Sequence, residues 1–215
     1  MQASTYHRAL AIAGLVFAAL LVAAFALTPN QVDENASLDK AFAYWSDHQT
    51  VEIVSALLLH VGSVALVFFG AGLRSSLRGG EGEESTYSVI AFGGAVFAAV
   101  GFVIAAWVGL AAATAADQGS REAVYTLNQL IAVDWMPFTA GISVMLLAAG
   151  IGGLRTLALP KVASWIAIAA GVVALTPFGW AGFVVLPFWT IWVSVLLYRG
   201  QRRSGGTVAA AGSPV

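Results

Sequence analysis

WSDHQTVEIVSALLLHVGSVALVFFGAGLR, residues 45–74, decides what kind of molecule this is. Ser46-x-x-Gln49 has the form of a capping box. From Val51 to Leu73 the run is then apolar except at Glu52, Ser55, His60 and Ser63. A helix crossing the hydrocarbon core of a bilayer, about 30 Å thick, needs about 20 such residues, so the stretch reads as a transmembrane helix. At about 100° per residue, Glu52, Ser55, Ala56, His60, Ser63, Gly70 and Arg74 share about 140° of arc. Leu, Val and Phe occupy the opposite side. A polar stripe on such a helix avoids lipid, so this face is expected to look into a bundle. His60 then lies near mid-bilayer, about 12 Å of rise below Glu52 and too far for a direct contact.

The rest of the chain agrees. Of 215 residues 59% are hydrophobic and 10% charged, with mean hydropathy +0.84, whereas a soluble domain carries about 25% charged residues. Six segments have the length and apolarity of spans, or nearly so: Ala9–Leu27, Val51–Leu73, Tyr87–Ala116, Pro137–Leu159, Lys161–Thr176 and Gly182–Tyr198. The fifth is short. Only Pro177-Phe178-Gly179 separates it from the sixth, which predicts a tight hairpin with Trp180 and Phe183 at headgroup level.

Orientation follows from the Lys and Arg residues of alternate loops. Arg8, Arg74, Arg78, Arg155, Lys161, Arg199, Arg202 and Arg203 fall on one side, and Lys40 and Arg121 on the other. The positive-inside rule then places both termini in the cytoplasm, in a bacterial plasma membrane. Ala24-Phe25-Ala26 has the form of a signal-peptidase site, but the apolar run of about eighteen residues exceeds the roughly 7–15 usual for a signal-peptide apolar region. A retained first helix is therefore expected. In the outer loops, Leu38, Phe42 and Trp45 (with Ser37 as N-cap), and Val124, Leu127 and Ile131, have the spacing of short amphipathic helices lying on the membrane surface or over the bundle. Gly79–Ser85 reads as a flexible linker and residues 204–215 as a disordered cytoplasmic tail, leaving 1–203 as one transmembrane domain.

Close helix contact in lipid rests on small residues. Gly101, Ala105, Gly109 and Ala113, with Ala91, Ala95 and Ala99, form such seams on the third span; Ala163, Ala167 and Gly171 form one on the fifth. Pro137 suits a first helical turn. Pro187 removes the donor for the Phe183 carbonyl and predicts a kink. Trp180, Phe183, Phe188, Trp189 and Trp192 read as lipid anchors and packing groups.

Candidate chemistry is sparse. The chain has no cysteine, and His7, His48 and His60 match no metal-ligand spacing. A bis-histidine haem needs a second buried His, and a retinal Schiff base a mid-helix Lys; neither is present, so no cofactor is expected. The glycines of the linker lack the Gly-Lys-Ser/Thr of a phosphate loop, and hydrolase and zincin signatures are absent. An ionisable group within a span is a site hypothesis by default. His60 is either a neutral imidazole hydrogen-bonded to a neighbouring helix, with Thr139 and Ser143 as partners, or part of a ligand pocket or proton relay. The candidate ligand-binding set is His60, Glu52, Ser63, Thr139 and Ser143. Glu52 and Asp134 also suit the helix dipole at the starts of their helices.

The chain resembles the small multi-pass membrane proteins of actinobacterial type that form domain-of-unknown-function families. The likeness rests on Trp45…His48…Glu52…His60-Val61-Gly62 with Leu73-Arg74, Leu154-Arg155-x-x-Ala158-Leu159-Pro160, Ala174-Leu175-Thr176-Pro177 and Pro187-Phe188-Trp189. It implies architecture and no reaction. The expected fold is an all-α integral membrane bundle of six transmembrane helices, N-in/C-in, with two short extracytoplasmic amphipathic helices. Three functions fit: a non-catalytic interaction or accessory protein, a transporter or ligand-binding protein with a pocket between the second and fourth spans, and a lipid-acting enzyme. The first is favoured, because only one polar position lies at depth. Expected partners are the bilayer and a membrane protein or second copy of the chain, with nothing to engage nucleic acid.

Overall fold

The computed structural model describes residues 2–28, 32–33, 36–82, 85–133 and 135–210. Among them the regular elements are helices and no strand occurs: α1 (Gln2–Leu27), α2 (Leu38–Asp47), α3 (Gln49–Glu81), α4 (Thr86–Asp117), α5 (Arg121–Ile131), α6 (Trp135–Thr156), α7 (Lys161–Val173) and α8 (Gly179–Ala210). Five helical stretches, in α1, α3, α4, α5–α6 and α8, are long and apolar enough to cross a bilayer. With 13 residues, α7 rises about 20 Å, short of the roughly 30 Å of a hydrocarbon core.

The long helices and α7 close a ring in the order α1, α3, α4, α6, α7, α8 and back to α1. Its interior is filled by Phe17, Leu21, Leu66, Phe69, Leu73, Leu77, Phe102, Ile142, Met145, Leu146 and Trp189. Most of the outward side chains are also apolar, Phe68, Phe97, Trp107, Trp165 and Phe188 among them. That inside-and-outside apolarity is what lipid as solvent demands.

Small residues set the helix spacing. A methyl added at Gly94, Gly101 or Gly141 would overlap the facing backbone of Met145, Phe138 or Ala98, so α4 and α6 meet backbone to backbone. Ala91, Ala95 and Ala99 are buried, and Ala95 faces Gly70 of α3. Gly171 of α7 abuts Leu147, and the Ser143 hydroxyl donates to the Gly171 carbonyl at 2.7 Å, tying α6 to α7. The α7–α8 turn is closed by Thr176, whose hydroxyl donates to Val173 O (2.7 Å) and accepts from Phe178 N–H (3.2 Å). Pro187 lies inside α8, which runs unbroken through it.

At one end of the ring α2 and α5 pack together over the C-terminal turns of α4. Trp45 and Val124 are buried against Ala112, Ala113, Ala115 and Ala116, with Phe42, Leu127 and Ile131 around them. The faces expected from spacing alone therefore meet each other. Arg121 pairs with Asp39 (2.9 Å) and lies over the Phe42 ring (5.0 Å); that exposed pair adds little stability. Trp45 donates its indole N–H to Asn128 Oδ1 at 3.1 Å inside the interface.

Three local expectations are corrected. Ser46 does not cap α3: α2 continues through Asp47 and the N-cap of α3 is His48. The side chain of Gln49 instead donates to Ala113 O (3.3 Å), joining α3 to α4. Ser37 holds the expected N-cap position of α2 without making a side-chain cap bond. The glycine linker is helical as far as Glu81, and the Glu81 carboxylate accepts the Ser88 N–H at 2.8 Å near the start of α4. Asp134, expected to cap α6, lies outside the described residues, as do 83–84 of the linker and 211–215 of the tail. The backbone of 204–210 continues α8.

Candidate functional site

Inside the ring, at the end covered by α2 and α5, is a chamber of about 390 Å³. Its walls come from α1 (Ala24, Phe25, Thr28), α3 (Glu52, Ser55, Ala56, Leu59), α4 (Ala105, Ala106, Gly109), α6 (Trp135, Phe138, Thr139) and α8 (Trp180, Phe183). Trp45, Ile131 and Ala132 close it from above. The space exists because α4 presents only small side chains here: a methyl at Gly109 would meet nothing within 4 Å. Aromatic rings block it below, with Phe138 stacked on Phe102 (4.8 Å) and Phe183 tilted against Phe138 (5.5 Å).

Glu52 is the one ionisable side chain among the described lining residues. It is 6% exposed, and a buried carboxylate is costly unless its oxygens are satisfied. Part of the compensation is the start of α3, where the exposed N–H ends of the helix favour negative charge. The rest is Tyr44, whose phenol donates to Glu52 Oε1 at 2.6 Å. Tyr44 is held in turn by stacking on His48 (4.7 Å) and edge contact with Trp45 (5.6 Å). The His48 ring bonds to Tyr44 O through Nδ1 (2.9 Å). Burial, reinforced by the bond to Glu52 and its charge, pushes the Tyr44 phenol well above the usual range, so it remains a proton donor.

Three more hydroxyl groups face the same space. Thr28 donates to Ala24 O at 2.9 Å. Thr139 is satisfied within its own helix, donating to Trp135 O (3.0 Å) and Met136 O (3.1 Å). Ser55, 6% exposed, has a buried hydroxyl with no hydrogen-bond partner among the described residues.

The structure brings together two of the five sequence candidates, Glu52 and Thr139. Ser63 is buried and donates to Leu59 O (2.8 Å), and Ser143 is committed to Gly171. His60 lies elsewhere. It is half-buried in an apolar groove between α1 and α3, beside Ala9, Ile12, Ala13, Val16, Val61, Val64, Ala65 and Phe68. The expected bonds from His60 to Thr139 or Ser143 are not made, because His60 faces α1 and not α6. On the wheel His60 is about 80° from Glu52, which puts it at the border of the stripe facing α1.

Tyr44 escapes a reading of polar positions within the spans, because it precedes the second span. A signal was there: Tyr44, His48 and Glu52 are spaced by four, the repeat of one helical face, and only His48 separates α2 from α3. Among the described residues no group of three or more His, Cys, Asp or Glu side chains gathers as a metal site. No family model matches this chain, no curated protein is similar to it, and no solved structure is similar to it.

Proposed function

We propose that the chain is a membrane protein of six spans, both termini cytoplasmic, that holds a small molecule without transforming it in the chamber facing away from the cytoplasm. The observation that carries this is the chamber itself: an aromatic-walled space of about 390 Å³ containing a buried carboxylate and an unpartnered Ser55 hydroxyl. Ligand sites are typically about 300–1,000 Å³, mostly apolar, with a few convergent polar groups. A purely structural bundle gains nothing from such a space, since unfilled volume costs packing energy. Acid–base chemistry commonly uses two titratable groups held apart in pKa, and the described lining offers one, which favours binding over catalysis.

The six-span topology rests on the distribution of Lys and Arg and on the closed ring, in which α7 and α8 complete the circuit. A short span such as α7 is accommodated by local thinning or by its neighbours. In this cysteine-free chain, Leu157→Cys and Phe178→Cys flank α7 at exposed positions; labelling from opposite faces is expected, and labelling from one face removes α7 as a span. For the chamber, native mass spectrometry of protein extracted from its own membrane is expected to show a small non-covalent adduct. Gly109→Trp, which fills the chamber, should abolish it. An identical adduct pattern in the two proteins overturns the reading.

A further inference from the structure

Resting on that ligand-binding reading, we infer that the chamber selects an organic cation with an apolar body, an amphiphilic amine or quaternary ammonium. Glu52 Oε1 is engaged by Tyr44, while no hydrogen bond among the described residues engages Oε2. Its carboxylate therefore presents one oxygen to the chamber without a protein partner among the described residues. The lining contains no Lys, Arg or His, and the one basic group that acts on Glu52, His48, stacks on Tyr44 outside the lining. A cation in the chamber would restore the attraction that burial strengthens, because charges interact more strongly away from bulk water. An anion would meet the same carboxylate as repulsion, and a neutral apolar molecule would leave it further desolvated and unpaired.

The walls point the same way. Trp45, Trp135, Phe138, Trp180 and Phe183 line the same chamber as one carboxylate, and aromatic faces attract ammonium groups, quaternary ones above all. Ser55 supplies an uncommitted hydroxyl on the Glu52 side of α3, one turn further in. The apolar body is read from the rim. Phe25 and Trp180, at the ends of α1 and α8, are the two lining aromatics most open to the surroundings, at 45% and 65% exposure. In the membrane reading they stand at interfacial depth, where amphiphilic cations accumulate.

The test uses the full chain in lipid nanodiscs and three probes of one size: benzyltrimethylammonium, its uncharged carbon isostere neopentylbenzene, and phenylmethanesulfonate. Binding is read by tryptophan fluorescence against empty nanodiscs. The cation should bind saturably, about tenfold or more tighter than the neutral isostere, and the sulfonate should not bind. Glu52→Gln should weaken the cation about tenfold or more without weakening neopentylbenzene, and Gly109→Trp should remove both. Equal binding of cation and isostere, indifferent to Glu52→Gln, overturns the cation assignment while leaving a ligand chamber in place. Fluorescence responses identical in wild type and Gly109→Trp overturn the chamber reading as well. The comparison of the two isosteres in the wild-type protein decides the question even if Glu52→Gln does not fold.

Discussion

Two glycines on one helix should respond to the same substitution with opposite signs. Gly101 and Gly109 are both on α4, eight residues apart. A methyl at Gly101 would be 2.6 Å from Phe138 Cα and 2.7 Å from Pro137 C, backbone atoms that no rotamer change can move aside. A methyl at Gly109 would enter the chamber and meet nothing within 4 Å. Gly101→Ala therefore forces α4 from α6, an overpacking cost of up to about 3 kcal/mol, offset by about 1 kcal/mol of improved helix propensity. A net loss of about 2 kcal/mol is expected. Gly109→Ala receives only the propensity term and should gain about 1 kcal/mol. The separation of about 3 kcal/mol is readable by reversible denaturant titration in mixed micelles, followed by circular dichroism and with both variants measured in one detergent. Equal stability of the two, or a greater loss at Gly109, would refute both the backbone contact of α4 with α6 and the open space at the chamber.

Three further outcomes follow from particular contacts. Because burial, with the bond to Glu52, raises the Tyr44 phenol above its ordinary range on folding, the stability from its neutral form is complete below about pH 10, the unfolded value, and is lost as pH rises from there toward the higher folded value; Tyr44→Phe should flatten this alkaline loss in pH-dependent unfolding, and an unchanged slope would remove the buried Tyr44 phenol as its source. Ser143→Ala deletes the buried bond to Gly171 O and should cost about 0.6–1.7 kcal/mol, measured by the same denaturant titration; no change would mean that α6 and α7 are held by packing alone. His60→Leu should leave stability equal or improved, since the ring lies in an apolar groove and makes no hydrogen bond among the described residues, whereas a loss above about 1 kcal/mol would reveal a partner.

The helices were legible because the length and apolarity needed to cross a bilayer are properties of a local stretch. Leu38, Phe42 and Trp45, and Val124, Leu127 and Ile131, were legible for the related reason that a helical face repeats at three to four residues. Ser46 misled because a capping box is a local pattern, while the end of α2 is decided by tertiary packing: burial of Trp45 draws the helix on through Asp47. His60 misled because a stripe on a helical wheel has borders, and which neighbour lies at each border is a property of the ring. Glu52 and Thr139 are expected in one set with His60, Ser63 and Ser143, but nothing in their spacing says which of the five share a space. That depends on α3 and α6 standing on opposite sides of small residues in α4.

Glycine explains both why the ring closes and why it fails to close completely. At Gly94, Gly101 and Gly141 the missing side chain is occupied by the backbone of the partner helix, and α4 and α6 are in direct contact. Beyond Phe102 the same helix carries Ala105, Ala106 and Gly109, but there the facing positions hold Trp135, Phe138 and the Glu52–Ser55 turn of α3. The packed rings of Phe102, Phe138 and Phe183 are too bulky to let the helix ends converge. The small residues above them are then left with space in front of them. Helix α2 covers that space, and through Tyr44 it also supplies the hydrogen bond that the buried carboxylate requires. The chamber is thus built by three features that must coincide: small residues on α4, an aromatic floor beneath them, and a covering helix that carries a proton donor. Replacement of any one would alter the volume or the charge of the site while leaving the ring's remaining contacts in place.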